Sequence, residues 1–318
     1  MAVVDRDAVE ALIHRQETTE IFEEAEQQSA VMANFRRVDM GTSQKRMPVI
    51  DALPKAKFVG EVEHPHGSDE AKKSVTRQTW TSRMMNVEEI ACISVVPEAV
   101  LDDAEVNVWS NIRPRITEAF GIRIDEAIVF GDEKPISWPD SLVDKIQAAG
   151  NYEQKGSGTD VAEDINQTQG LVFNDGFNVN GQWAPRRLQT ELRGLRDNNN
   201  NPIFVENLYG DQGRPSVYGI PIQWVTNGSW DSDQAEMIVG DMSKALLGLR
   251  RDISFKVLDQ ATIDMDGDGE NLLHLAQSDS IALRATMRIA YQTAEHPTRD
   301  GGEDAFPFAM LQPEAEEE

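Results

Sequence analysis

The chain is poor in cysteine, histidine and positive charge: one cysteine, five histidines and 30 basic residues stand against 55 acidic ones in 318 positions. Each shortage removes a class of explanation. A lone Cys92 forms no disulfide within the chain and supports no cysteine-based metal site. It lies in the apolar run IACISVV, where a buried, inert thiol is expected. His14, His274 and His296 are scattered, without an evident carboxylate or nucleophile partner, so no Ser–His–Asp arrangement is visible. No run of eighteen apolar residues occurs, which excludes a membrane-spanning helix. The opening MAVVDRDAVEALIHRQ is acidic from the start, unlike a secretory signal, so synthesis and use in a reducing cytoplasm are expected. A net charge of −25 repels phosphate backbones and disfavours sequence-specific nucleic-acid binding. It suits a container wall that must not stick to a polyanion inside it. Neither a GxGxxG nor a GxxxxGK[ST] phosphate loop is present, and no cofactor is expected.

What the chain does have is a long helical stripe at Val106–Gly131. Val106, Trp109, Ile112, Ile116, Ala119, Phe120, Ala127 and Ile128 recur at three- and four-residue steps, which places them on one helix face. At about 1.5 Å per residue the helix would run roughly 35–40 Å, a beam on which other elements hang. Trp109, Ile112, Ile116 and Phe120 are its expected core. Arg113, Arg115 and Arg123 form its expected basic side, facing water or another chain's charges, among Glu118, Asp125 and Glu126. Pro114 removes one hydrogen-bond rung and Gly121 weakens the centre, so a bend is expected.

Before the beam, short amphipathic helices are expected around Ala8–Ile13 and Thr19–Gln27, with a turn of helix near Ser29–Phe35. Their apolar faces are narrow, and such helices lean on a neighbour. Residues 47–63 and 74–97 read as two extended segments joined by the polar connector HPHGSDEAKK. Together they make a ribbon with no clean core face, which is marginal alone and needs another surface. Beyond the beam come a short helix at about Ser141–Ala148 and a glycine-rich loop at Asn151–Asp160. A mixed α/β unit follows over 160–257, then a long strand at Ser280–Tyr291 with a strict two-residue period, and a short strand in FPFAMLQP.

Site chemistry is sparse. His64 and His66 stand at i, i+2, but no further ligand lies near them, so a metal is not expected. Asp264, Asp266, Asp268 and Gly269 imitate half a calcium loop, yet Leu275 stands where the bidentate Glu belongs. A turn between two strands is the simpler reading; a calcium-dependent enzyme or binding module is the remote alternative. The connector residues His64, His66, Asp69, Glu70, Lys72 and Lys73 suit a solvent-facing tip that contacts a partner. An enzyme is not indicated.

The order of these parts resembles the major capsid proteins of tailed bacteriophages, of the Hong Kong 97 fold. The segments MPVIDALPKAKFVGE, VVPEAVLDDAEVNVWSNIRPRITEAFGIRIDEAIVFGD, GQWAPRRLQTELRGLRDNNNNPIF, VYGIPIQWVTN, IVGDMSKALLGLRRDISFKV and SIALRATMRIAY carry the resemblance, and their shared order is what makes it specific. It implies an α+β chain: an N-terminal arm with the approach to the peripheral domain at 1–46, and an extended loop at 47–90. A peripheral domain at 91–159 holds the spine helix 106–130, and an axial domain spans 160–257. The peripheral long strands occupy 258–293, and a return strand with an acidic tail occupies 294–318. Implied too are pentamers and hexamers of the chain itself, closing an icosahedral shell around double-stranded DNA, in the virion and in the host cytoplasm during assembly. The chain starts almost directly at the arm, so a separate scaffold protein is expected; a portal and a decoration protein are further implied partners. Some relatives crosslink covalently; Lys72 or Lys73 stands near the lysine's place, but Asp279 and Thr286 stand at the other two, so noncovalent assembly is expected. An encapsulin-type nanocompartment shell is the alternative of the same fold.

Overall fold

The computed structural model describes residues 29–50, 53–54, 79–99, 108–196, 215–265, 271–301 and 305–314. A short helix α1 (Ala30–Asn34) leads into β1 (Arg36–Asp39) and the ribbon strands β2 (Gln44–Ile50) and β3 (Trp80–Asn86). Then come β4 (Glu88–Pro97), the long helix α2 (Val108–Asp125) and α3 (Leu142–Ala149). A second group comprises β5 (Tyr152–Gln154), α4 (Val161–Asn174), β6 (Gly181–Pro185), α5 (Arg186–Gly194), β7 (Ser216–Val217), β8 (Ile220–Val225) and β9 (Met237–Gly240). The chain closes with β10 (Ala245–Leu258), the small hairpin β11 (Thr262–Asp264) and β12 (Leu272–His274), then β13 (Ser280–Thr293) and β14 (Phe308–Gln312). The calcium-like turn joins β11 to β12, with Asp266, Asp268 and Gly269 outside the described residues.

Two sheets organise the body. One has the order β1-β10-β13-β4, the other β5-β14-β9-β6-β8-β7. In the six-stranded sheet both faces are covered, and the sequence pattern follows from that. Met237, Val239, Ala309, Leu311, Ala184 and Ile222 join one apolar cluster with Ile165 and Val172 of α4 and with Leu188 and Leu192 of α5. The alternate residues Ile238, Phe308, Met310, Trp183 and Val225 join the other cluster, with Phe130, Leu142 and Ile146. A strand covered on both faces reads as an unbroken apolar run, as in MIV and FAML. Gly240 sits where a Cβ would lie 2.5 Å from the Pro307 carbonyl oxygen, so the close approach of β9 and β14 requires glycine.

In the four-stranded sheet Leu283, Ala285, Met287, Ile289 and Tyr291 alternate onto the face that carries Ile116, Phe120 and Ile124 of α2. The helix is continuous through Pro114 and Gly121. Its departure from α geometry comes at Glu126–Phe130, a π-helical turn closed by the Gly131 N–H on the Glu126 carbonyl at 2.9 Å. Ala127, Ile128, Val129 and Phe130 are all buried, more of a circumference than a one-sided stripe accounts for.

Two segment assignments and one burial expectation change. Residues 245–257 do not sit with 160–240: β10 pairs with β13 from Ala245↔Thr293 to Leu258↔Ala282, in the four-stranded sheet. Residues 88–90 leave the ribbon and pair with β13 as part of β4. Cys92 is half-buried rather than buried, because β4 is an edge strand of its sheet. The reason is common to all three: strand pairing is a long-range choice that local composition does not express.

Candidate assembly surfaces

The ribbon is the first candidate, and its root is locked to the body. β2 and β3 pair antiparallel from Gln44↔Asn86 to Ile50↔Trp80. Met85 is buried among Met40, Leu246 and Ala290, whereas Trp80 is 61% exposed on the same strand. Polar contacts fix the root in place. The Gln292 amide donates to the Met84 carbonyl at 3.0 Å, the Asn86 amide to the Ser137 carbonyl at 2.9 Å, and the Trp138 indole to the Asn86 carbonyl at 3.1 Å. The ribbon therefore leaves the body in a set direction, presenting a large exposed ring.

Beside that root lies an ion cluster. Glu295 accepts from Lys145 at 2.6 Å and from the Thr293 hydroxyl at 2.6 Å, and pairs with Arg83 of β3 at 2.6 Å. Burial pushes the Glu295 carboxyl up, but the pull of Lys145, Thr293 and Arg83 outweighs it and holds the group below its ordinary value of 4.5. A depressed folded value means that the stability it lends is present above the unfolded value and lost as pH falls through the folded one. Glu295→Gln is expected to lower stability at neutral pH and to flatten the acid limb below about pH 4.5. Urea midpoints at neutral and acid pH check this; parallel curves for both proteins refute it.

The second candidate is the N-terminal segment and its anchor. Asp125, at the end of α2, accepts four hydrogen bonds: from the Ser29 hydroxyl at 2.6 Å, the Ala30 and Val31 amides at 3.1 Å each and the Asn227 amide at 2.9 Å; the Ser229 hydroxyl, 3.4 Å away, has its nearer acceptor in the Asn227 side-chain oxygen at 2.7 Å. Burial raises its carboxyl above the ordinary range, against the lowering effect of those donors. Phe35 follows, its ring 5.2 Å from Trp183, 6.2 Å from Tyr291 and 6.4 Å from Phe308. Whatever precedes residue 29 thus leaves from a point pinned to α2, to the loop after β8 and to both sheets.

The residues singled out from the sequence fall as follows. His64, His66, Asp69, Glu70, Lys72 and Lys73 lie outside the described residues, as do the segments Ala8–Ile13 and Thr19–Gln27. Ile116 and Phe120 are buried in the cluster that holds β13, and Trp109 and Ile112 pack against it half-buried. The three arginines do not share a face. Arg113 lies over the Phe255 ring at 5.6 Å, on the sheet side, while Arg115 pairs with Glu118 at 3.3 Å. Arg123 meets Glu126 and Glu133 at 3.4 Å each. Steps of two and eight residues turn a helix by about 200° and 80°, which is why they diverge. Asp279 leads into β13 with φ +44°, and the Thr286 hydroxyl bonds Ser254 at 3.0 Å. Among the described residues no cluster of three His, Cys, Asp or Glu is placed to hold a metal.

Sequence reasoning missed the Asp125 and Glu295 networks. Asp125 was visible only as one polar residue on a helix, and its partners lie 94–104 positions away. The Ser29 signal was legible, since serine before an apolar turn is a helix cap, and the Ser29 hydroxyl does accept from the Met32 amide.

Comparison with known proteins places this geometry. The phage capsid family profile matches residues 10–295. A solved structure from Microbacterium phage Oxtober96 is 39% identical with TM-score 0.78, over 90% of this chain and 91% of that one. The probable major capsid protein gp17 of Mycobacterium phage D29 is 24% identical, over 87% of this chain and 85% of its own length. The major capsid protein of Staphylococcus phage 80alpha is 25% identical, over 87% and 80%.

Proposed function

This chain belongs to the phage capsid family and is a structural shell protein, the major capsid protein of a tailed phage, and we propose that it assembles as pentamers and hexamers that close an icosahedral shell around double-stranded DNA. The observation that carries the reading is the exposed ribbon with a fixed root. A strand pair that is half solvated and bears a 61% exposed Trp80 gains its remaining burial from a neighbouring subunit. The N-terminal segment, pinned at Asp125 and Phe35, reaches a second neighbour. Each contact is modest, but a subunit held by several neighbours is released only when all let go together. A separate scaffold protein, a portal and a decoration protein are the partners this reading adds, with assembly in the host cytoplasm. Trp109, Ile112, Ile116 and Phe120 hold the spine helix on the long strands, and the connector His64–Lys73 is the contact tip on the adjacent subunit.

Deleting Pro65–Lys72 is expected to leave a soluble, folded subunit that forms no shells. Negative-stain microscopy of the deletion and of the full chain, each expressed with the scaffold protein proposed above, tests this. Normal shells from the deletion sink the ribbon's role.

A further inference from the structure

The sequence holds two Asn-Gly pairs, Asn180-Gly181 and Asn227-Gly228. Such a pair is a latent acyl-transfer site: the glycine nitrogen can close on the side-chain carbonyl carbon of the asparagine before it, and no Cβ stands in the way. The fold shuts one and leaves the other open. Gly181 is buried at the start of β6, opposite Gly240 of β9, and a Cβ there would come within 2.8 Å of Met242. The sheet fixes the backbone on which ring closure depends. Gly228, in the turn after β8, is exposed with φ +86° and has nothing within 4 Å of the place of a Cβ. Its N–H has no hydrogen-bond partner among the described residues, so the nitrogen is free to attack.

Around Asn227 the neighbouring groups stand where an acyl transfer needs them. Its side-chain oxygen accepts from the Ser229 hydroxyl at 2.7 Å and from the Ser229 amide at 3.1 Å. Those are two donors on the atom that becomes an oxyanion when the carbon is attacked. Its nitrogen, the leaving group, donates to the Asp125 carboxyl at 2.9 Å. Burial keeps that carboxyl above its ordinary range, which makes it a better proton source than an exposed aspartate at the same pH. Beside it a cavity of about 260 Å³, lined in part by Asn227, Gln223, Glu118 and Ala30, has polar walls and room for water.

We infer that Asn227 is a self-modification site, at which the chain converts its own asparagine to aspartate or isoaspartate and thereby loosens the anchor of its N-terminal segment. The Gly228 nitrogen bonds to the Asn227 side-chain carbonyl carbon and gives its proton to water. The bond from that carbon to the amide nitrogen breaks, and the nitrogen leaves as ammonia with a proton from Asp125, which water restores. A water molecule then opens the five-membered imide at either carbonyl. Only water is consumed, and nothing is oxidised or reduced. The product sets a carboxylate where a donor stood, against Asp125, whose other donors are the Ser29 hydroxyl and the Ala30 and Val31 amides. Two carboxyls at hydrogen-bond distance oppose each other's ionisation, so the modified chain holds residues 29–31 less tightly. The conversion takes place in a free subunit and does not depend on the shell-forming reading.

The test is to age the purified full-length chain in warm neutral buffer for weeks and to map both Asn-Gly peptides by mass spectrometry, with isoaspartate read by enzymatic methyl transfer. Conversion at Asn227 is expected to exceed that at Asn180 by roughly tenfold or more, a modest share of what one positioned proton donor supplies. In urea the two pairs are expected to draw level, which assigns the difference to the fold. Ser229→Ala removes one of the two oxyanion donors and is expected to slow conversion about tenfold; a turn that was merely loosened would convert faster instead. Asn227→Asp reproduces one product and is expected to be cut faster N-terminal to Phe35 by limited proteolysis. Conversion at Asn227 no greater than at Asn180, a ratio unchanged in urea, or a Ser229→Ala rate at or above wild type overturns the self-modification. Wild-type cleavage of Asn227→Asp overturns the loosening of the anchor.

Discussion

Asp125→Ala is expected to cost about 3 kcal/mol or more and to free the segment before β1. Four donors converge on this carboxylate, and removing it strands buried groups at roughly 1–3 kcal/mol each. Two of them are the Ala30 and Val31 amides, the first N–H groups of α1, which have no partner within so short a helix. Ser29 is itself fully buried, so water does not readily replace the lost acceptor. Asp125→Asn is no rescue, because its amide nitrogen would face donors. Thermal unfolding measures the loss, and limited proteolysis reads the second consequence as faster cleavage N-terminal to Phe35. A midpoint within a degree or two of wild type, with unchanged cleavage, would show that the network is ornamental.

Trp183→Ala is expected to cost about 3–5 kcal/mol, as for large aromatic truncations in packed cores. Trp183 is fully buried in β6 and faces Phe35. That ring is also near Tyr291 of β13 and Phe308 of β14, so a cavity here opens between the two sheets and not within one. Its indole N–H has no hydrogen-bond partner among the described residues, so Trp183→Phe removes an orphan donor along with some volume. The expected order of stability is wild type and Phe close together, Ala far below, by urea unfolding with one probe on helix content and one on tryptophan emission. A Phe variant as damaged as Ala would mean that the indole makes a contact beyond its packing.

Much of the architecture was legible because it is periodic. The step of three and four in Trp109, Ile112, Ile116 and Phe120 describes a helix face, and the step of two from Ile281 to Ile289 describes a strand face; each depends only on backbone geometry. The helix at Leu142–Ala149 and the strand at Phe308–Gln312 lie within a residue or two of their local signals. The family was legible for a different reason, the order in which such elements follow one another.

Composition and periodicity alone determined an acidic chain with a long helix, a long strand and a ribbon in need of support. Tertiary structure decided which strands pair, and hence that β10 leaves the six-stranded sheet, that Arg113 turns to Phe255 while Arg115 and Arg123 do not, and that Asp125 holds residues almost a hundred positions away. It also set Arg284 against Lys256 and Arg288 against Arg251, an opposition that no single strand contains. A local pattern records which face a side chain takes, since that depends on its own backbone; what lies opposite depends on register and chain crossing, which are chosen by the packing of the whole.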